Sequence, residues 1–330
     1  MSCRPLWSTR FGLGFAVVML TLTLSPMAQS GEFQFAVATY DPLTNISGLS
    51  RISTNGIDVE LISRFAYSEA DAMKYHTSPS YSPDGSELLF IAQPSNRPAQ
   101  IYVQTVEDGI TLPLTDSPQV SYYQAAWSPD GTKIAYSAAR VGKFEDIFVM
   151  NADGSSITQI TSTPEYSEVW VSWSPDGNSL AYVQRDIQLN YQIMIVPSEG
   201  GEAEPIGESG VVGTTPKWSH DGTQLYYATR DKETLTATIN STSLDGTTIR
   251  TLYSVTGTDP VAPGIDSIDI SPDGNTMAFI QADFTSLEDR LDITNSLNLL
   301  DLQTGEVLSP EWITDGLWFG PIEFEPASTS

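Results

Sequence analysis

The chain reads as an all-β protein, a six-bladed β-propeller of four-stranded antiparallel blades, and three observations lead there. First, one phrase recurs: "SYSPDGSELLFIA" at 80–92 returns as "AWSPDGTKIAYSA", "SWSPDGNSLAYVQ", "KWSHDGTQLYYAT" and "DISPDGNTMAFIQ". Second, the motif serines stand at Ser82, Ser128, Ser174, Ser219 and Ser271, steps of 46, 46, 45 and 52 residues. A period in the forties with several short strands per unit is the signature of a propeller. Third, the two ends of the repeat region each look like part of one more unit.

Taken in chain order, residues 1–30 differ in kind from the rest. Arg4 and Arg10 precede an uncharged apolar run from Phe11 to Leu24, and "SPMAQS" places Ala28 and Ser30 where a signal peptidase wants small residues. The run is too short to span a bilayer, which takes about 20 residues. The expectation is a signal peptide at 1–30, a single propeller domain at 31–330 with no membrane span, and an extracytoplasmic location, periplasmic or secreted. Cys3 is the only cysteine. Past the signal there is then no disulfide, thiolate metal site or cysteine nucleophile, and the fold rests on its core.

After the signal, "FQFAVATY", "GLSRIST" and "NGIDVELIS" read as the second, third and fourth strands of a unit lacking its first. Five full units follow. In each, a short strand ends in an aromatic (Tyr81, Trp127, Trp173, Trp218) or in Ile270, and a turn leads to an alternating strand such as "KIAYSA". A third strand, a second Gly turn and a short fourth strand complete the unit. In Ser-Pro-Asp-Gly, proline presets φ for the second turn position and glycine suits the fourth. His220 takes the proline's place in the fourth copy and reads as turn filler. The chain closes on "GPIEFEPA", a first strand with Pro326 but no Asp-Gly. Joined to the three N-terminal strands it makes the sixth blade, which shuts the ring and removes a free sheet edge.

The phrase "AWSPDGTKIAYSA" followed by "DIFVMNADGSSITQIT" resembles the WD40-like (PD40) repeat of the TolB-like six-bladed β-propellers, and the resemblance covers nearly all of the chain past residue 30. It implies the fold. TolB itself is expected to carry an α/β domain ahead of its propeller, whereas here the strands begin directly after the apolar leader, so a role in the Tol–Pal system is not carried over. The family hosts many functions, so function must be argued from the site.

Charge narrows the partners. Formal net charge is −26, and past residue 30 the 41 acidic residues face 13 basic ones. Nucleic acid and anionic membrane surfaces are poor partners for such a chain, because binding to either relies on Lys and Arg.

In an antiparallel blade the repetitive turns lie on one face and the irregular loops on the other, around the channel mouth, where binding is expected. The loops between blades bring aromatics to that face: Tyr75 and His76, Tyr122 and Tyr123, Tyr166 and Trp170, Trp318 and Phe319. Such rings either stack on sugars and anchor peptides or pack between blades. The loops inside blades bring Arg97, Arg140, Arg185 and Arg230, with Asp186, Asp231, Asp283, Glu288 and Asp289. The arginines either form an arc for an anion or pair with nearby acids, as "RD" at 185–186 and 230–231 hints; pairing is preferred. His76, Asp266 and Glu168 fall near the rim. The ligand-binding set expected on this face is His76, Tyr122, Tyr123, Trp170, Trp318, Arg140, Arg185, Arg230 and Asp266.

No G-x-S-x-G, H-E-x-x-H, P-loop or G-x-G-x-x-G occurs, so no catalytic residue and no metal site is assigned. No cofactor is expected, though carboxylates alone would suit Ca²⁺. Asn45 ("NIS") and Asn240 ("NST") match the glycosylation acceptor pattern. The reading is an exported, monomeric, non-enzymatic module that presents its loop face to an envelope or extracellular protein, peptide or glycan. The alternative is a metal-assisted carbohydrate lyase, lactonase or hydrolase using the same face.

Overall fold

The computed structural model describes residues 34–326, apart from 42–45, 54–58, 67–75, 95–96, 141, 211–212, 258–262, 287–290 and 310–317. The segment expected to be a signal peptide lies outside the described residues. Six four-stranded antiparallel sheets follow one another around a ring. Blade 1 consists of Gln34–Asp41, Ile46–Ser53, Val59–Ala66 and, as its innermost strand, Trp318–Phe324. The inner strands of blades 2 to 6 are His76–Tyr81, Val120–Trp127, Ser167–Trp173, Lys217–Trp218 and Gly264–Ile270.

Ring closure follows the sequence expectation. The C-terminal strand pairs antiparallel with the first N-terminal one, Phe35 opposite Phe324 and Val37 opposite Ile322. Without this pairing the last inner strand and the first three strands would each present an open edge.

The core lies between blades. Leu89, Ile91 and Ile101 of blade 2 pack on Tyr122, Ala125, Trp127 and Tyr136 of blade 3, and similar clusters fill the following interfaces. Each such side chain fully buried stabilises the ring by about 1.5–3 kcal/mol.

The repeated turn explains its own conservation of type from copy to copy. In all five, the serine hydroxyl donates to the aspartate Oδ1 at 2.5 or 2.6 Å. That oxygen also accepts the backbone N–H two residues on at 3.0 Å. The glycine has positive φ, from +69° to +73°, which a Cβ would strain. Each proline has a further task. A Cβ on Gly131 would lie 3.6 Å from Pro83 Cδ, on Gly177 3.6 Å from Pro129 Cγ, and on Gly222 3.6 Å from Pro175 Cδ. One blade's proline thus rests on the next blade's glycine. His220 does the same toward Gly274, where a Cβ would meet its own at 3.0 Å.

Candidate functional site

The six inner strands enclose a channel of about 500 Å³. Its middle is a belt built from one position per blade, two residues before the motif serine: Ser80, Ala126, Ser172, Lys217 and Asp269, with Glu323 in blade 1. Half of the belt is small and half is charged.

Lys217 Nζ donates to Asp269 Oδ1 at 2.7 Å and to Glu323 Oε2 at 3.1 Å, so one ammonium spans blades 5, 6 and 1. Asp269 Oδ2 accepts the backbone N–H of Phe324 at 2.6 Å, and Ser267 Oγ accepts that of Ile322 at 3.2 Å. These N–H groups lie on the channel edge of the closing strand, where no further strand can pair them. Burial pulls the Lys217 ammonium down, but the two carboxylates outweigh it and its pKa rises. Burial, then the charge of Asp269, push Glu323 up to about 7 against the pull of Lys217.

At the loop-side mouth stands Trp170. Its φ is +59°, uncommon for a non-glycine residue, and the pairing of its strand skips from Val169 to Ser172. Its half-buried indole stacks on Tyr191, ring centres 6.2 Å apart and planes within 10°. Strained backbone of this kind collects at ligand-facing sites. Gln124 Nε2 donates to Val171 O at 3.1 Å, tying the neighbouring blade to the same spot. Asp266 shares the mouth; it is solvent-accessible, yet the channel wall raises its pKa by desolvation while Arg230 opposes the shift.

Of the other residues expected on this face, Tyr123 is exposed, whereas Tyr122 is buried in the interface of blades 2 and 3 against Tyr136, ring centres 5.5 Å apart, out of reach of a ligand. Arg140 ends its strand in solvent. Arg185 reaches Glu145 of blade 3 at 4.0 Å, and Arg97 pairs with Asp116. The adjacent aspartates are otherwise engaged: Asp186 caps its loop through the N–H groups of Gln188 and Asn190, and Asp231 through that of Glu233. Glu168 is fully buried, accepting hydrogen bonds from Thr161, Thr163 and Gln184, and burial pushes it up to about 7. Asp283 accepts from Gln281 at 3.0 Å. His76 and Trp318 occupy strand ends at the mouth, but their side chains lie outside the described residues, as do Tyr75, the ring of Phe319, Glu288, Asp289 and Asn45. Asn240 is buried and bonded to Thr238 and Thr251, so it is closed to a glycan in the folded protein.

Sequence reasoning missed two features. One is the charged half of the belt. The other is a set of exposed apolar side chains, Phe144, Ile187 and Leu189, that joins Tyr123 and Tyr166 on the loop side of blades 3 and 4. The two blades meet there: the N–H of Glu168 donates to Glu145 O at 2.8 Å beside the Arg185–Glu145 pair. The signal was present in "KFED" and "DIQLN", apolar residues inside otherwise polar loops.

Among the described residues no group of three or more His, Cys, Asp or Glu side chains is placed to hold a metal ion, and no helix is long and apolar enough to cross a membrane. The family model described as the TolB beta propeller domain matches residues 63–312. No curated protein matches significantly. Among solved structures, TolB from Acinetobacter baumannii is similar at a TM-score of 0.67 and 16% identity, over 89% of this chain and 67% of that one. A structure assigned as TolB from Agrobacterium tumefaciens is similar at 0.63 and 19%, over 90% of this chain and 100% of that one. An oligogalacturonate lyase in complex with manganese is similar at 0.53 and 15%, over 84% of this chain and 73% of that one. At these identities the likeness is one of fold.

Proposed function

The chain belongs to the TolB β-propeller domain family, and from that premise we propose that it is an exported, monomeric, non-enzymatic binding module. It presents the loop face and channel mouth to a protein, peptide or glycan in the periplasm or outside the cell. The observation that carries this is the loop side of blades 3 and 4, where Tyr123, Phe144, Tyr166, Ile187 and Leu189 are exposed beside the strained Trp170. Scattered exposed apolar residues are ordinary, but five on one side of two adjacent blades form the kind of patch that a partner covers. Aromatic anchors in such a patch supply much of the binding energy.

The test is capture of envelope and extracellular partners by the purified protein. Trp170→Ala and Arg140→Ala should each weaken capture, by roughly 1–2 kcal/mol for the aromatic anchor, while His220→Pro on the turn side leaves it unchanged. If His220→Pro abolishes capture with the fold intact, the assignment of face is wrong. The alternative, metal-assisted cleavage of an acidic polysaccharide or lactone on the same face, replaces this reading if such substrates are consumed only on addition of Ca²⁺ or Mn²⁺.

A further inference from the structure

The channel interior has a chemistry of its own. Among its described lining residues are three carboxylates (Asp266, Asp269, Glu323) and one ammonium, Lys217, with Arg230 acting on Asp266 and His220 at the turn-side end, so the carboxylates outnumber the cations by one. Lys217 is committed to Asp269 and Glu323, and both Asp269 oxygens are engaged, one by Lys217 and one by the N–H of Phe324. Among the described residues only Oε2 of the Glu323 carboxylate is engaged, and the residue lines the open volume. The enclosure is therefore short of positive charge, and a low-polarity enclosure magnifies such an imbalance. Aromatic walls accompany it: Tyr81, Trp127, Trp170, Trp173 and Trp218 line the same space. Carboxylate with aromatic wall is the combination that receives organic cations.

A second, independent feature lies in the wall. The indole N–H of Trp173 donates to Ala126 O at 3.1 Å, but those of Trp127 and Trp218, residues only 8% and 9% exposed, have no acceptor among the described residues. A buried donor without a partner carries a free-energy cost. Both residues line the channel, so an occupant rich in carbonyl groups would offer an acceptor to either indole that turns toward it.

We propose that the channel receives a lysine or arginine side chain carried in by an extended peptide segment of a partner, with Glu323 Oε1 accepting the cation and the peptide carbonyls meeting the indole donors. This rests on the reading of the loop face as a peptide-binding surface and specifies its chemistry. The volume of about 500 Å³ suits a side chain and a short stretch of backbone. The groups around Glu323 set its response to pH. Asp269 and Lys217 face it from blades 6 and 5, Tyr81 from blade 2, and the Arg51–Glu325 pair at 3.0 Å lies on its own blade. The site should lose its appetite for cations as Glu323 takes up a proton below neutral pH.

The channel tryptophans provide the readout. Acetyl-Gly-Ser-Lys-Ser-Gly-amide and its norleucine analogue are titrated against tryptophan fluorescence near pH 8. The lysine peptide should bind about tenfold tighter, the worth of one charge-assisted contact. The preference should fall to less than about twofold in Glu323→Gln, and also in the unaltered protein near pH 5, so the second arm decides if the variant does not fold. Equal binding of the two peptides, failure of both to bind, a preference indifferent to pH and to Glu323→Gln, or spermidine binding as tightly as the lysine peptide would each overturn the proposal. Equal binding with partner capture still sensitive to Trp170→Ala would sink the cation site alone; loss of that sensitivity would sink the loop-face reading.

Discussion

Lys217→Met is the most informative single change to the ring. The ammonium holds blades 5, 6 and 1 together across 2.7 Å and 3.1 Å, and its side chain is 22% exposed, so solvent screens it little. Methionine keeps the length of the side chain and removes the charge. Asp269 and Glu323 would then face each other unpaired inside the channel. Breaking a buried pair in this way costs about 3–5 kcal/mol, because a charge is left without compensation. The loss depends on pH in a fixed direction. Glu323 already sits near 7 with Lys217 present, so without it the acid takes up a proton at a still higher pH. Near pH 5 protonation relieves the repulsion, and near pH 8 it does not. Urea denaturation at the two pH values should give a clearly larger deficit at the higher one, approaching the 3–5 kcal/mol figure. A variant as stable as the parent near pH 8, or equally weakened at both, would refute the reasoning. The double variant Lys217→Met with Glu323→Gln should recover much of the loss, since it removes the repulsion with the charge.

Four further outcomes can be checked. Burial raises Glu168 and Glu323 from an ordinary value of 4.5 to about 7, so their contribution to stability is present below 4.5 and is lost as pH rises through 7; melting temperature should fall across that interval, and Glu168→Gln should flatten the fall. At the acid end, the serine hydroxyl and the backbone N–H of Ser86 hold Asp84 near 2, and the equivalent turn aspartates are also lowered, so stability should drop again as they protonate; a melting temperature still rising at about pH 2 would contradict this. Gly131→Ala places a Cβ at φ +70° and should cost about 1–2 kcal/mol by thermal or urea unfolding. Deleting residues 320–330 removes the strand that closes the ring, and a deletion variant with unchanged melting temperature would contradict the closure.

The fold was legible because its evidence is local. Ser, Pro, Asp and Gly act within four consecutive residues, so the turn and its period can be read without knowing what lies across the ring. The closing strand could also be read, since "GPIEFEPA" is short of the partners that "FQFAVATY" lacks. The charged belt was not. Lys217, Asp269 and Glu323 meet only after three blades have stacked, and between copies their position changes from Ser or Ala to Lys, Asp and Glu. Nothing in the neighbours of any one of them announces the other two.

The loop face shows a finer limit. Alternation along an ideal strand would send Tyr122 and Tyr123 to opposite faces, but it does not say which one the ligand sees. Register decides, and here it breaks: Tyr122 pairs with Ala138, while Gln124 pairs with Ser137, so Tyr123 is the extra residue of a bulge. Every inner strand of blades 2, 3, 4 and 6 carries a shift at about this point, between Thr77 and Ser80, Tyr122 and Gln124, Val169 and Ser172, and Ile265 and Ser267. A bulge bends its strand and re-aims the side chains that follow. Placed where the strand leaves the mouth for the channel, the bulge lets one stretch serve two surfaces: in blade 3, Tyr122 before it is buried between blades, Tyr123 at it is exposed, and Ala126 beyond it joins the belt. The different residues at the bulges, Trp170 and Ser78 at positive φ and Gln124 bonded across blades, therefore distinguish one side of the mouth from another although the blades share a backbone plan. Asymmetry of that kind is what a ring of near-identical units needs in order to grip a single partner in a single orientation.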